Sequence, residues 1–495
     1  MLSACASVPS LEGRTASYAL DDTAGTPIGL ALAPRIAEQP GRAGFVPIAD
    51  GRAAFGWRVL LARAATRSID IQTYIWHGDA TGSMLFDEML RAADRGVRVR
   101  LLLDDANTRG LDPTLALLDT HPNIELRLYN PFVGRRSRAV GLLGDFERLN
   151  HRMHNKSFTV DNQVAVVGGR NLGNEYFEAG DGTTFVDLDV VTVGEVVRSV
   201  SAEFDLFWNS ASAFPVHAIV DPKQALDREA FAQRVRAWRD SAEALAFVQA
   251  VAQTQDIQRL LDRNLSFEWA TAQVVHDDPA KTLQPETARE LHLLPKLATV
   301  FGAAKAELDL VSPYFVPGES GTATLAALAR RGVRVRVLTN SLAATDMAAV
   351  HAGYAKRRED LLRAGVQLFE FRRGAAAVRQ QDSEIGSSAQ AGLHAKTFAV
   401  DRRTLFVGSF NLDPRSSKLN TEMGLLIDSP KLASDLSAAI DRATPGLAYQ
   451  VTLDPDGRMQ WQDGTGAPHT SEPESGMLRR LWVRILAWLP IEWLL

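Results

Sequence analysis

Two short runs of alternating apolar and polar residues mark out the chain, Ser68–Trp76 (SIDIQTYIW) and Glu307–Phe315 (ELDLVSPYF). A period of two predicts strands. Each run is followed by apolar residues at three- and four-residue spacing, MLFDEMLRAADRG from Met84 and TLAALARRG from Thr324. That spacing predicts helices, and the closing Gly96 and Gly332 supply the residue that most readily ends one. Second strands come at once, VRVRLLLDD and VRVRVLTNS. Strand, helix and strand at this length predict a βαβ unit with parallel pairing. A further helix and strand come next in each place, TLALLDTHPNIELRLYN and KRREDLLRAGVQLFEF.

The same order of elements occurs twice because the chain repeats itself. RGVRVR begins at Arg95 and again at Arg331, 236 residues later. MHNKSFTVDNQVAVVGGRN (153–171) and LHAKTFAVDRRTLFVGSFN (393–411) share the order H-x-K, four residues, D, then G-x-x-N, at an offset of 240. Two α/β domains are expected, at 43–215 and 286–445, packed by a pseudo-twofold axis. Residues 216–285 (DREAFAQRVRAWRDSAEALAFVQAVAQ within them) read as a charged helical insertion that could roof a cleft or touch lipid. Residues 1–42 form an N-terminal segment, and 446–495 a linker followed by a helix.

Composition narrows the class. At 495 residues the chain exceeds what one core supports. Apolar content of 46% and charged content of 23% are ordinary for a folded protein. The net charge of -5 disfavours a dedicated nucleic-acid binder, which carries a basic surplus. The single cysteine, Cys5, excludes an intrachain disulfide and a cysteine-built zinc site. No stretch reaches the roughly 18–20 apolar residues of a spanning helix.

Histidine and lysine at alternate strand positions make poor core residues, so their presence in both copies points to chemistry. His154 and Lys156 share one strand face, as do His394 and Lys396. The chain then turns at Asp161 or Asp401 and returns to Asn171 or Asn411, near the histidine end of each hairpin. Around a twofold axis, two imidazoles, two ammoniums and two amides would converge, a set suited to a phosphodiester. The lysines would balance charge on non-bridging oxygens and the asparagines add neutral donors, so no metal or cofactor is called for. One neutral histidine can attack phosphorus. The other, protonated, can serve the leaving alkoxide and then the incoming hydroxyl. Carboxylates behind the imidazoles would fix their tautomers. Glu422 and Asp187 hold the expected places, each on the strand after its motif, with Asp189 an alternative to Asp187.

At these residues the sequence resembles the phospholipase D superfamily, whose hallmark is the duplicated H-x-K-x4-D motif. It is similar in particular to the bacterial cardiolipin synthases of the C type, on YIWHGD, RLLLDDANTRGLD, GGRNLG, SLAATDMAAVHAGYAKRR, SFNLDPRSSKLNTEMG and LPIEWLL. The resemblance implies two mixed-sheet domains flanked by helices, with the active site at their interface. It implies a metal-free reaction through a phosphatidyl-histidine, with His154 as nucleophile and His394 as acid and base; the reverse assignment stays open. The motif members Asp161 and Asp401 count with the catalytic set, although their place at the far turn suits a structural role. Ser409 joins Asn171 and Asn411 as a substrate-side residue. His351 and Tyr354 are read either as head-group contacts or as part of a helix with a solvated basic end. Phosphatidylglycerol with phosphatidylethanolamine is the implied substrate pair. Hydrolysis of a phospholipid is the alternative outcome of the same intermediate. No nucleic acid and no obligate protein partner are expected.

Both ends suggest a membrane. LSAC, Leu2–Cys5, resembles the lipobox of bacterial lipoproteins, which would tether the chain at a periplasmic face, although no apolar leader precedes it. In GMLRRLWVRILAWLPIEWLL, an apolar side with Trp482 and Trp488 opposes Arg479, Arg480 and Arg484, as in an interfacial helix.

Overall fold

The computed structural model describes residues 8–135, 138–180, 182–373, 391–464, 466–489, 492 and 495. Cys5 and its lipobox lie outside the described residues.

The first half contributes β1 (Ala43–Ile48), β2 (Ser68–Thr73), β3 (Arg98–Asp104), β4 (Ile124–Tyr129), β5 (Ser157–Val160), β6 (Val164–Gly168), β7 (Thr184–Val186), β8 (Asp189–Val193) and β9 (Ala213–Pro215). The second contributes β10 (Glu268–His276), β11 (Glu307–Val311), β12 (Arg334–Asn340), β13 (Gln367–Phe371), β14 (Ala391–Leu393), β15 (Lys396–Val400), β16 (Thr404–Gly408), β17 (Met423–Asp428), β18 (Ala448–Leu453) and β19 (Met459–Gln462).

In each half three strands pair in parallel, as the βαβ pattern predicts: β2–β3–β4 and β11–β12–β13. The motif hairpin then joins antiparallel, β5–β6 beside β2 and β15–β16 beside β11. The spatial order is β9-β4-β3-β2-β5-β6-β8-β1 in one half and β19-β18-β13-β12-β11-β15-β16-β17-β10 in the other. β1 and β10 pair antiparallel, so the two sheets become one sheet of 17 strands. Between the halves lies an apolar core in which Phe45, Val167 and Val190 meet Val407, Leu425 and Ile427.

The repeated RVR segment is explained by packing. Arg100 makes a two-pronged ion pair with Asp70 of the neighbouring strand, at 2.6 and 2.9 Å, and Arg336 does the same with Asp309, at 2.6 and 2.7 Å. All four are nearly or wholly buried, and an unpaired charge there would be strongly destabilising.

Two expectations are corrected. Residues 216–285 are not helical throughout, since Glu268–His276 forms the strand that joins the sheets. Its alternation is weak because both faces are partly covered. The helices that do occur there place Phe231, Val235, Phe247 and Val251 in the first half's core, so they thicken that half rather than roof a cleft. The segment after 445 is not a plain linker either, since β18 and β19 extend the second sheet, with Val451 and Trp461 in its core.

Candidate active site

The leading ends of the two motif hairpins meet where the halves cross over each other. The His154 N–H donates to the Thr421 carbonyl at 2.9 Å, and the Thr421 N–H to the Arg152 carbonyl at 2.9 Å. In the mirrored place β14 pairs in parallel with β7, and the His394 N–H donates to the Val186 carbonyl at 2.8 Å. The residue after each of these partners is a carboxylate. Each histidine is therefore held by the other half: His154 Nδ1 lies 2.8 Å from Glu422 Oε2, and His394 Nδ1 lies 2.6 Å from Asp187 Oδ2. Neither carboxylate lies within a strand, where position alone places it, and each serves the histidine of the other half. Asp187 precedes β8 and Glu422 precedes β17. Asp189 is excluded as the partner, since it is buried against Arg58 at 2.9 Å and Arg170 at 3.5 Å.

Both lysines are buried and reach back to their own motif. Lys156 Nζ donates to the His154 carbonyl at 2.6 Å, and Lys396 Nζ bonds the His394 carbonyl. Burial pushes both ammoniums down, Lys396 to about 8. The two imidazoles are also pushed down, first by burial and then by the lysines of both halves, His394 to about 4 and His154 well below its ordinary value. The four side chains thus share one electropositive, poorly solvated centre.

The two clamps differ. Burial alone would raise Asp187, but His394, Lys396 and Arg170 override it and hold this carboxyl well below the usual range. Burial raises Glu422 to about 7 against the opposing pull of Lys156. Its oxygens accept from the Ser409 hydroxyl at 2.5 Å and the Ser416 hydroxyl at 2.7 Å. Ser409 is thereby corrected from a substrate-side group to a support for Glu422.

Asn171 and Asn411 are buried, and each leaves one amide atom, Nδ2 and Oδ1 respectively, without a hydrogen-bond partner. An unpartnered buried amide is costly unless a ligand meets it. Asp161 and Asp401 sit at the far turns with φ of 50° and 52°. Asp161 accepts from the Arg67 and Ser68 amides at 2.7 and 2.9 Å, and Asp401 from the Ala306 and Glu307 amides at 2.8 and 2.9 Å. They pin the starts of β2 and β11 and do not touch the centre, so they are structural members of the motif.

His351 and Tyr354 are also corrected. His351 Nε2 lies 3.2 Å from Glu472 Oε1 and 3.1 Å from Arg358 Nη2. Tyr354 packs in the second core with Arg358 4.9 Å from its ring centre. Arg358 is itself buried and paired with Glu370. The segment's basic end is thus folded into an ion-pair network that ties down the extended sheet.

Several neighbours escaped the sequence reading. Tyr74 sets its ring edge-on to His154 at 4.9 Å, and Tyr176 and Phe185 flank His394 at 5.2 Å. Asn155, between His154 and Lys156, donates to Glu203 at 2.6 Å and accepts from Thr421 at 2.9 Å, bridging the halves. Lys281, wholly buried, holds the carbonyls of Ser416 and Asn420 at 3.0 and 2.6 Å. Only YIWHGD, for Tyr74, and the H-x-K motif, which contains Asn155, carried a signal for any of these.

A duplicated sheet with a His–Lys pair from each copy at the seam defines a phosphodiester-processing enzyme of the phospholipase D superfamily. The sequence matches the family described as "Cardiolipin synthase, PLD-like domain" twice, at residues 60–208 and 297–444, and the chain belongs to it. It is a phosphatidyltransferase by that membership. It is 43% identical to cardiolipin synthase C of Escherichia coli (strain K12) over 94% of this chain and 99% of that protein. Cardiolipin synthase B of the same organism is 28% identical over 73% of this chain and 71% of its own length. The crystal structure of phosphatidylserine synthase from Haemophilus influenzae superposes with a TM-score of 0.59 at 14% identity, covering 92% of this chain and 96% of that one, a likeness of fold. Among the described residues no helix is long and apolar enough to cross a membrane.

Proposed function

We propose that the chain makes cardiolipin by moving a phosphatidyl group from a donor phospholipid to a hydroxyl of phosphatidylglycerol, with phosphatidylethanolamine as the co-substrate. His154 Nε2 attacks phosphorus and forms an N–P bond while the bond to the donor's head-group oxygen breaks. His394 gives its Nε2 proton to that oxygen. The acceptor hydroxyl then loses its proton to His394 as its oxygen displaces His154 from phosphorus. Lys156 and Lys396 hold the non-bridging oxygens, and Asn171 donates its unpartnered Nδ2–H to the same group.

The unequal clamps carry the assignment of roles. A firmly ionised Asp187 opposes the burial and the lysines that lower His394 to about 4, and so favours the imidazolium that the acid requires. Glu422, raised to about 7, stabilises one less and leaves His154 neutral, as a nucleophile must be. The 43% identity to a cardiolipin synthase over nearly the whole of both chains supports the product. The reaction calls the protein to a lipid surface as a peripheral enzyme.

The test is mass spectrometry of lipids after purified protein meets phosphatidylglycerol vesicles, with and without phosphatidylethanolamine. Cardiolipin that needs phosphatidylethanolamine is the expected result. Cardiolipin without it would keep the transfer and drop the co-substrate. Phosphatidic acid alone would make water the acceptor and overturn the proposal.

A further inference from the structure

The helix Met477–Trp488 presents two different faces. Val483, Leu486 and Ala487 dock onto Leu342 and Ala352, while the Arg479 guanidinium donates to the Thr345 carbonyl at 2.7 Å. The opposite face is bare. Leu478 (82% exposed), Leu481, Trp482, Ile485 and Trp488 (91% exposed) form a continuous apolar row, with Arg480 and Arg484 along its flank. A soluble helix with two exposed tryptophans in an apolar row lacks the partner that would cover it. Arginines flanking a tryptophan-bearing apolar face match an anionic bilayer surface, into which such a helix sinks its apolar side.

The chain beyond this helix is anchored to the active site. Lys356 Nζ donates to the Leu489 carbonyl at 3.2 Å, and Glu492 pairs with Arg357 at 3.2 Å. The Leu495 side chain is buried between Val316 and Val350, and its carbonyl accepts the Arg415 N–H at 2.6 Å. Arg415 opens the π-helical turn Arg415–Leu419. The next residue, Ser416, gives its hydroxyl to Glu422 Oε1 at 2.7 Å, and Glu422 Oε2 holds His154. A series of named contacts therefore runs from the helix and the chain beyond it to the His154 imidazole.

We infer that the apolar face of Met477–Trp488 seats on an anionic lipid bilayer, and that this seating is transmitted through Leu495 and Arg415 to the Glu422–His154 clamp. Arg415, Ser416 and Leu495 act as positioning residues, and the enzyme works faster when the helix is seated. The inference deepens the proposed transfer but depends on it only for the activity readout.

Hydrogen–deuterium exchange on the full chain reads it without turnover. Vesicles of monoolein and oleate are anionic and hold no phosphodiester. They should slow exchange in 477–489 and, several-fold, in 413–422, and should raise turnover of soluble dihexanoyl phosphatidylglycerol several-fold. Leu495→Ala should keep the protection of 477–489, yet lose the response of 413–422 and the rise. A doubly altered helix, Trp482→Ser with Trp488→Ser, touches only the bare face and should lose both responses together. Wild-type exchange at 413–422 unmoved by a seated helix, no protection of 477–489, or an undiminished response in either variant would each overturn the inference. Exchange that responds while no phosphodiester turns over would instead sink the transfer reaction and leave the coupling standing.

Discussion

The His154 and His394 ends of the centre are built to one plan and tuned apart. Both imidazoles are buried, both are backed by a carboxylate from the opposite half, and both lie beside a lysine. At His394 the clamp is an aspartate whose charge is secured by Arg170 and Lys396. At His154 it is a glutamate, longer by one methylene, held by two serine hydroxyls and drawn down by Lys156. Burial then wins and lifts Glu422 to about 7. A duplicated scaffold thus sets its two imidazoles against clamps of unequal charge by altering what lies behind the ring.

Trapping tests this contrast most severely. Removal of either histidine should lower turnover by about 10³-fold or more, within the range for a lost nucleophile or acid. The variants should differ on a denaturing gel after exposure to phosphate-labelled donor. His394→Ala should retain label on the protein and His154→Ala none; the reverse pattern would exchange the two roles.

The carboxylates come next. Asp187→Asn should lower kcat by about 10²–10⁴-fold, as expected when a histidine loses the anion that stabilises its charged form. Glu422→Gln should cost less, because that carboxyl is close to half protonated near neutrality. Equal losses, read from full kcat and KM measurements, would remove the distinction between the clamps.

The lysine of the second half gives a pH signature. Lys396, lowered to about 8, should lose its proton above that value and release the phosphate, so kcat/KM should fall on the alkaline side. Lys396→Arg should carry the fall to higher pH. Stability should move the other way. Between about 8 and the ordinary lysine value of 10.5 the unfolded chain binds the extra proton, so stability contributed by this group rises with pH across that window. An alkaline limb unchanged in Lys396→Arg would assign it elsewhere.

The smallest effects belong to the motif aspartates. Asp161 is fully buried and Asp401 is half-buried, though both cap a strand start with backbone amides. Asp161→Asn should destabilise by about 2 kcal/mol and Asp401→Asn by about 1 kcal/mol, from hydrogen bonds to a charged acceptor. Denaturant titrations should show this with little change in kcat per folded molecule.

The βαβ order and the hairpins were legible because strands and helices impose their periods on local sequence. The motif residues were legible because they occur twice. The crossing of Glu422 to His154 and of Asp187 to His394 was not, because a contact across 268 or 207 residues leaves no trace in either local pattern. β10 was hidden among helical neighbours, since a strand buried in part on both faces loses its alternation. His351 illustrates the opposite error. Its neighbours Lys356, Arg357 and Arg358 suggested either substrate charge or solvent, whereas Glu370, Glu472 and Glu492 draw His351, Arg357 and Arg358 into ion pairs from distant segments.

The antiparallel seam of β1 and β10 has a kinetic consequence. Backbone hydrogen bonds run across the join and hold the two halves, and with them the two imidazoles, in one sheet. On the proposed route the donor head group leaves before the acceptor hydroxyl reaches phosphorus at the same centre, which predicts parallel double-reciprocal plots at low lipid and mutual inhibition at high lipid.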